Sequence, residues 1–85
     1  MPAIEIIWDL EDDPEGNIAH IAEHDVSQDE VLEVLTAPTA RETSRSSGRP
    51  IAFGITSTGR LIAVVYEIVD EDVFYPVTAY EVRRR

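Results

Sequence analysis

The spacing of apolar and polar residues changes rhythm twice along this chain. Ala3-Ile4-Glu5-Ile6-Ile7-Trp8 is short, rich in β-branched residues and partly alternating, which predicts a first strand. An acidic stretch from Asp9 to Asp13 follows, and the pattern then becomes helical. Asp13 before Pro14 has the form of an N-cap with proline at the first helical position, so helix one is expected to run to about Glu23 or His24. Ile18, Ile21 and Ala22 would form its buried face. Ser27-Gln28-Asp29-Glu30 is a capping box, with Val26 before it and Val31 after it positioned as a hydrophobic staple. Helix two should bury Val31, Leu32, Val34 and Leu35 and stop at Pro38, because a residue preceding proline is pushed out of helical geometry.

From Thr39 onward the rhythm is that of strands. Thr39 to Ser44 predicts a polar strand that sets Arg41, Thr43 and Arg45 on one face, since side chains alternate with period two. Ser46-Ser47-Gly48 reads as a turn. Pro50 to Thr56 and Arg60 to Glu67 are stronger strands joined through Ser57-Thr58-Gly59, where glycine permits the positive φ of a tight hairpin. Val69 to Asp72 predicts a second turn, and Val73 to Val82 a last strand in which Pro76 suggests an edge or a bulge. The expected architecture is α+β: a strand, two short helices, then a four-stranded antiparallel sheet.

Size limits this to one domain over residues 1–85, because a chain so short has room for a single core. With no cysteine there is neither a disulfide framework nor a thiolate zinc site, and a small unstapled core favours a homo-oligomer or another partner. The longest apolar run, Leu61 to Tyr66, is too short to cross a bilayer, and the N-terminus lacks a basic region leading into a long apolar one. No membrane association is expected, and the expected location is the cytoplasm.

Charge changes the picture more than composition does. The net charge of -10 argues against a general nucleic-acid binder, which normally gains affinity by displacing counterions with surplus cations. Yet residues 1–40 carry eleven acids and no Lys or Arg, while residues 41–66 carry four Arg against one Glu. All seven basic residues are Arg, whose planar fork grips phosphate or carboxylate through paired hydrogen bonds. An Arg-rich genome accounts for the same bias, and Arg83-Arg84-Arg85 reads equally as a solvated tail.

Element order and particular residues together resemble the BrnT family of small ribonuclease toxins, whose fold is like that of the RelE toxins. That family opens with an aromatic-Asp pair, an Asn, and a His leading through Val-Ser into the second helix; Trp8-Asp9, Asn17 and His24 with Val26-Ser27 correspond. Its later signature corresponds to Arg49, Gly54-Ile55-Thr56, Gly59-Arg60 and the run Ile62-Ala63-Val64-Val65. The chain departs from it at Glu23, where the family has Lys, and at Tyr75 and Tyr80, where the family has Arg. It is also expected to lack the family's C-terminal helix.

The resemblance implies metal-free cleavage of RNA, with a cognate antitoxin as partner. Such a reaction needs a base for the 2′-hydroxyl, an acid for the leaving oxygen, and cations for the charge growing on phosphate. His24 is the natural titrating group, and Arg49 with Arg60 would bind the scissile phosphate as a pair. Glu67 and Tyr80 are the remaining candidates for proton transfer or base stacking. Arg41, Arg45, Arg49 and Arg60 would form the RNA-binding face. Each has a structural alternative: His24 as a helix C-cap, Arg60 and Arg49 as solvated strand ends, Trp8 as a core anchor. His20 and His24 share a helical face, but without a third ligand no metal is expected. No Gly-rich phosphate loop or nucleophile elbow appears, so no cofactor is expected either. Replacing two Arg by Tyr75 and Tyr80 removes transition-state charge, which leaves a non-catalytic module that binds a protein or itself as the alternative function.

Overall fold

The computed structural model describes residues 3–83, which places Arg84 and Arg85 of the expected tail outside the described residues. The chain runs β1 (Glu5–Ile6), α1 (Asn17–Glu23), α2 (Gln28–Thr36), β2 (Ala40–Thr43), β3 (Pro50–Ile55), β4 (Leu61–Asp70) and β5 (Val73–Glu81). The α+β order holds, but the sheet has five strands in the order β1-β5-β4-β3-β2 and is mixed, because β1 joins it parallel to β5. The expected four antiparallel strands are therefore completed by the first strand rather than standing apart from it.

Both helices pack on one face of this sheet. Ile21, Val26, Val31, Val34 and Leu35 meet Ala52, Ile62, Val64, Tyr66 and Ala79 in one core, with Trp8 and Phe74 packed against it. Gly54 lets α2 approach closely: a Cβ there would lie 3.3 Å from three atoms of Val34. Trp8 thus acts as the expected anchor. Leu32 is 45% exposed and Ala22 is exposed, so the helix faces are narrower than their apolar content suggested.

Helix two starts as its sequence requires. Ser27 Oγ accepts from the Glu30 N–H at 3.1 Å while Glu30 Oε1 accepts from the Ser27 N–H at 3.0 Å. Helix one does not start at Pro14. Its N-cap is Gly16, and Asp13 instead accepts from the Glu15 N–H in a turn. The start is held back because Asp9 Oδ2 accepts from the Asn17 N–H at 2.9 Å, which fixes the first helical residue. The end of α1 is closed by its backbone: the Val26 N–H reaches Ile21 O and the Asp25 N–H reaches Ala22 O, with Asp25 in the left-handed region at φ 59°.

Pro76 lies just past the end of the β1 pairing, which covers Val73 and Phe74, so it occupies the expected edge on that side of β5 although β5 starts between β1 and β4. The expected bulge is present, because Val65 pairs with Thr78 and Tyr66 with Pro76, leaving Val77 over. Ladder geometry explains why proline is tolerated. The Glu5 and Ile7 N–H groups donate to Asp72 O and Phe74 O, so the next parallel bond would run from a residue-76 N–H to Ile7 O. Proline has no such hydrogen. Asn17 supplies it: Nδ2 donates to Ile7 O at 3.0 Å and to Pro76 O at 2.9 Å, while Oδ1 accepts from the Asp9 N–H at 2.9 Å. The side-chain amide is an inserted ladder rung, fully satisfied and 1% exposed.

Two smaller departures concern turns. Strand β4 continues to Asp70, so the expected turn at Val69 shrinks around Glu71 and Asp72, with Asp72 at φ 59°. Arg45 lies in the turn after β2 rather than on the strand with Arg41 and Thr43.

Asn17→Ala should destabilise the fold by about 2–4 kcal/mol, because it strands the buried Pro76 carbonyl and the partly buried backbone groups of Ile7 and Asp9 without partners. Urea unfolding followed by circular dichroism reads this as a lowered midpoint; a loss below about 0.5 kcal/mol would refute the rung.

Candidate functional site

Gly54 faces α2, so every residue paired across from it, or two residues away along a strand, faces the helices too. The intervening residues face the other way, where no helix of the described residues packs. On that open face Ile51 pairs with Val65 and Val65 with Thr78, while Phe53 pairs with Ala63 and Ala63 with Tyr80. Ile55 pairs with Leu61, whose carbonyl accepts from the Val82 N–H. Three cross-strand rows therefore form an apolar surface. Ala63 is fully buried although it is not part of the helix-side core, because it sits between Phe53 and Tyr80. Ile55 is 54% and Tyr80 37% exposed. At the turn end the surface continues into a shallow groove of about 640 Å³ lined by Ile55, Leu61, Val82 and Arg83, with Gly59 and Glu81.

Most of the residues singled out for catalysis fall on or beside this face. Arg49 and Glu67 occupy one end as an ion pair at 3.0 Å, with side chains 41% and 49% exposed. Tyr80 lies in the middle row, and the exposed His24 ring is edge-on to it with centroids 6.4 Å apart. The apolar row of Ile51 and Val65 separates these two pairs.

Arg60 is elsewhere. It sits before β4 on the helix side, where its Nη1 donates to both Glu30 oxygens at 2.8 and 2.9 Å and its Nη2 meets Glu81 Oε1 at 3.3 Å. Burial alone would lower its pKa, but the Glu30 and Glu81 carboxylates outweigh that and raise it. Arg49 and Arg60 therefore cannot hold one phosphate as a pair. They lie at opposite ends of the hairpin, about 20 Å apart at roughly 3.3 Å per strand residue. The expected four-Arg surface divides in the same way: Arg41 pairs across from Ala52 on the helix side, Arg45 is in a turn, and Arg49 alone is on the open face.

The structure adds a cluster absent from the sequence reading. Tyr75 donates its hydroxyl to Asp9 Oδ2 at 2.6 Å, the same oxygen that receives the Asn17 N–H. The Tyr75 bond, then the Asn17 bond, hold the Asp9 carboxyl below its usual range, while the Asp9 contact followed by burial pushes the Tyr75 phenol up to about 12. Trp8-Asp9 and Asn17 were visible only as motif fragments. Their meeting with Tyr75 joins positions 66 residues apart in sequence. A Cβ on Gly16 would come within 2.8 Å of Asp9 Cβ, so this cluster also dictates the residue before α1. Among the described residues no group of three or more His, Cys, Asp or Glu is arranged to hold a metal ion.

Comparison with models of known families, with characterised proteins and with solved structures returns no match.

The Asp9–Tyr75 contact has a definite pH signature. Because the folded phenol titrates at about 12 against 10.0 when free, its contribution to stability is complete below pH 10.0 and is lost as pH rises to about 12. For Asp9 the sign reverses: its contribution is present above the ordinary value of 3.8 and fades as pH falls through the lowered one. Tyr75→Phe should flatten the alkaline limb of the unfolding midpoint against pH. Parallel profiles for variant and wild type would show that the contact does not couple to folding.

Proposed function

We propose that this protein is a non-catalytic binding module that takes up a protein partner on the helix-free face of its sheet. The observation that carries this reading is the continuous apolar surface of Ile51, Phe53, Ile55, Leu61, Val65 and Tyr80, on a face that no helix of the described residues covers. The largest contiguous apolar patch of a small domain is often a functional one. Electrostatics points the same way. Arg49 is already held by Glu67, and Arg60 by Glu30 and Glu81, so a phosphate would have to displace carboxylates from both. The net charge of -10 opposes RNA at long range, and the candidate Arg are divided between the two sheet faces and a turn instead of gathering on one surface.

The second reading is the metal-independent ribonuclease that the BrnT resemblance implies. It is favoured by one observation, that His24, Tyr80, Arg49 and Glu67 all lie on or beside a single sheet face. Under that reading the same face would receive RNA, and a cognate antitoxin would cover it.

The two separate cleanly in one experiment. Purified protein is incubated with RNA at neutral pH in EDTA, in parallel with recovery of the partner from the native source by tagged wild type, His24→Ala, Arg49→Ala and Phe53→Ser. A binding module leaves the RNA intact, keeps its partner in the His24 and Arg49 variants, and loses it by about tenfold or more in Phe53→Ser. RNA cleavage abolished by His24→Ala and Arg49→Ala would establish the ribonuclease instead.

A further inference from the structure

We propose that the occupant of the open sheet face is a cationic amphipathic helix supplied by a partner protein, an inference that rests on reading this face as a binding surface. The sheet already carries α1 and α2 on its other face, and an apolar sheet face is stable when a second layer covers it. A helix on the open face would complete a three-layer sandwich.

Backbone chemistry selects the kind of occupant. The side chains of the three rows are apolar apart from Thr78 and the Tyr80 hydroxyl, so they offer little to pair with an incoming main chain. Whatever lies across them must satisfy its own N–H and C=O groups, which a helix does internally and an extended or irregular segment does not. Dimensions agree. Rows about 7 Å apart on strands about 4.8 Å apart give a patch on the order of 300 Å², wide enough for one helix of about 10–12 Å diameter.

A second copy of this chain fits less well. The patch is well below the ~800 Å² per partner of a standard stable interface for a helix and a second copy alike, so area does not choose between them and charge does. Two copies would bring together molecules of net charge -10 each. Extension of the sheet through the free edge of β2 is opposed as well. The two central antiparallel registers that keep the helix layers on one side set Arg41 against Arg41 or Glu42 against Glu42.

Charge gives the helix its sign. Glu42 pairs across from Ile51 at one margin of the patch, and Glu23 and Asp25 flank His24 where it meets Tyr80. Arg49 and Arg83 are the cations near the surface, and Arg49 is held by Glu67. A helix with an apolar stripe and Lys or Arg on its flanks meets apolar rows below and carboxylates around them.

The probe is a synthetic peptide of about 14 residues with Leu at i, i+3, i+4 and i+7 positions and Lys elsewhere, about 21 Å long as a helix. Its controls are a scrambled peptide of the same composition and a version with Glu for Lys. Fluorescence anisotropy with the full chain should show saturable one-to-one binding in the micromolar range, weakened as salt rises from about 50 to about 300 mM. The scrambled and Glu peptides, and the Phe53→Ser and Tyr80→Ser variants, should each bind about tenfold more weakly. Leu32→Ser, on the exposed side of α2, should bind like wild type. Two substitutions at different exposures keep the test meaningful if one of them impairs folding, which circular dichroism reports.

Absence of binding, equal binding of the scrambled peptide, or indifference to both face substitutions would overturn the helix. So would a wild-type dimer in light scattering that Phe53→Ser converts to monomer, since the occupant would then be a second copy. Binding of a short oligouridylate that depends on Phe53 and Tyr80 would overturn it in favour of RNA. If the peptide fails while partner recovery from the native source still depends on Phe53, the binding-module reading stands and only the helix falls.

Discussion

One buried carboxamide holds the two halves of this molecule together. Asn17 begins α1, yet its side chain sits in the ladder between the first and last strands, donating to Ile7 and Pro76 carbonyls and accepting from the Asp9 N–H. Without it, Pro76 would leave Ile7 O unpaired at the point where β1 parts from β5. The cost of such an orphaned group is of the order of a whole folded-state hydrogen bond or more, about 1–3 kcal/mol, which a domain this small cannot readily absorb. Asp9 doubles the constraint, since one carboxylate oxygen takes both the Asn17 N–H and the Tyr75 hydroxyl. Strand, helix start and last strand are therefore fixed relative to one another by a few polar atoms, around which the apolar core closes.

The acidic surplus of the chain is used by the fold in a specific way. Glu30 serves the capping box of α2 and at the same time binds Arg60, and Glu81 completes that cation's environment from β5. Glu33 likewise reaches from α2 to the β3–β4 turn, accepting from the Ser57 N–H at 2.7 Å. Acids on the second helix thus pin the hairpin to the helical layer. Arg60 is drawn into these internal contacts while Arg49 is held by Glu67 at the other end of the hairpin, which removes the two from a common anion site.

What remains is a sheet with two unlike faces. The helix side is closed, with Ile62, Val64 and Ala79 fully buried. The other side repeats the same alternation with Phe53, Leu61 and Val65 but has no layer above it among the described residues. Antiparallel sheets commonly leave one face to solvent, and then that face reads polar. Here it does not, and this mismatch between pattern and covering is the physical basis for proposing a partner there.

Several local signals were legible in the sequence. Ser27 and Glu30 dictated the start of α2 because a capping box needs only four consecutive residues, Gly59 marked the hairpin turn, and the alternation of β3 and β4 announced strands. The α+β order followed from these. What only the tertiary structure decided were features that depend on residues distant in sequence: that β1 joins the sheet beside β5, that Asp9 and Asn17 delay helix one past Pro14, and that an asparagine stands in for the hydrogen Pro76 lacks where β1 ends. The same limit applied to the site. His24, Arg49, Glu67 and Tyr80 were identifiable by type, but whether Arg49 and Arg60 share a face depends on strand register. A shift of one residue reverses the side to which each points, and register is set by packing across the whole sheet.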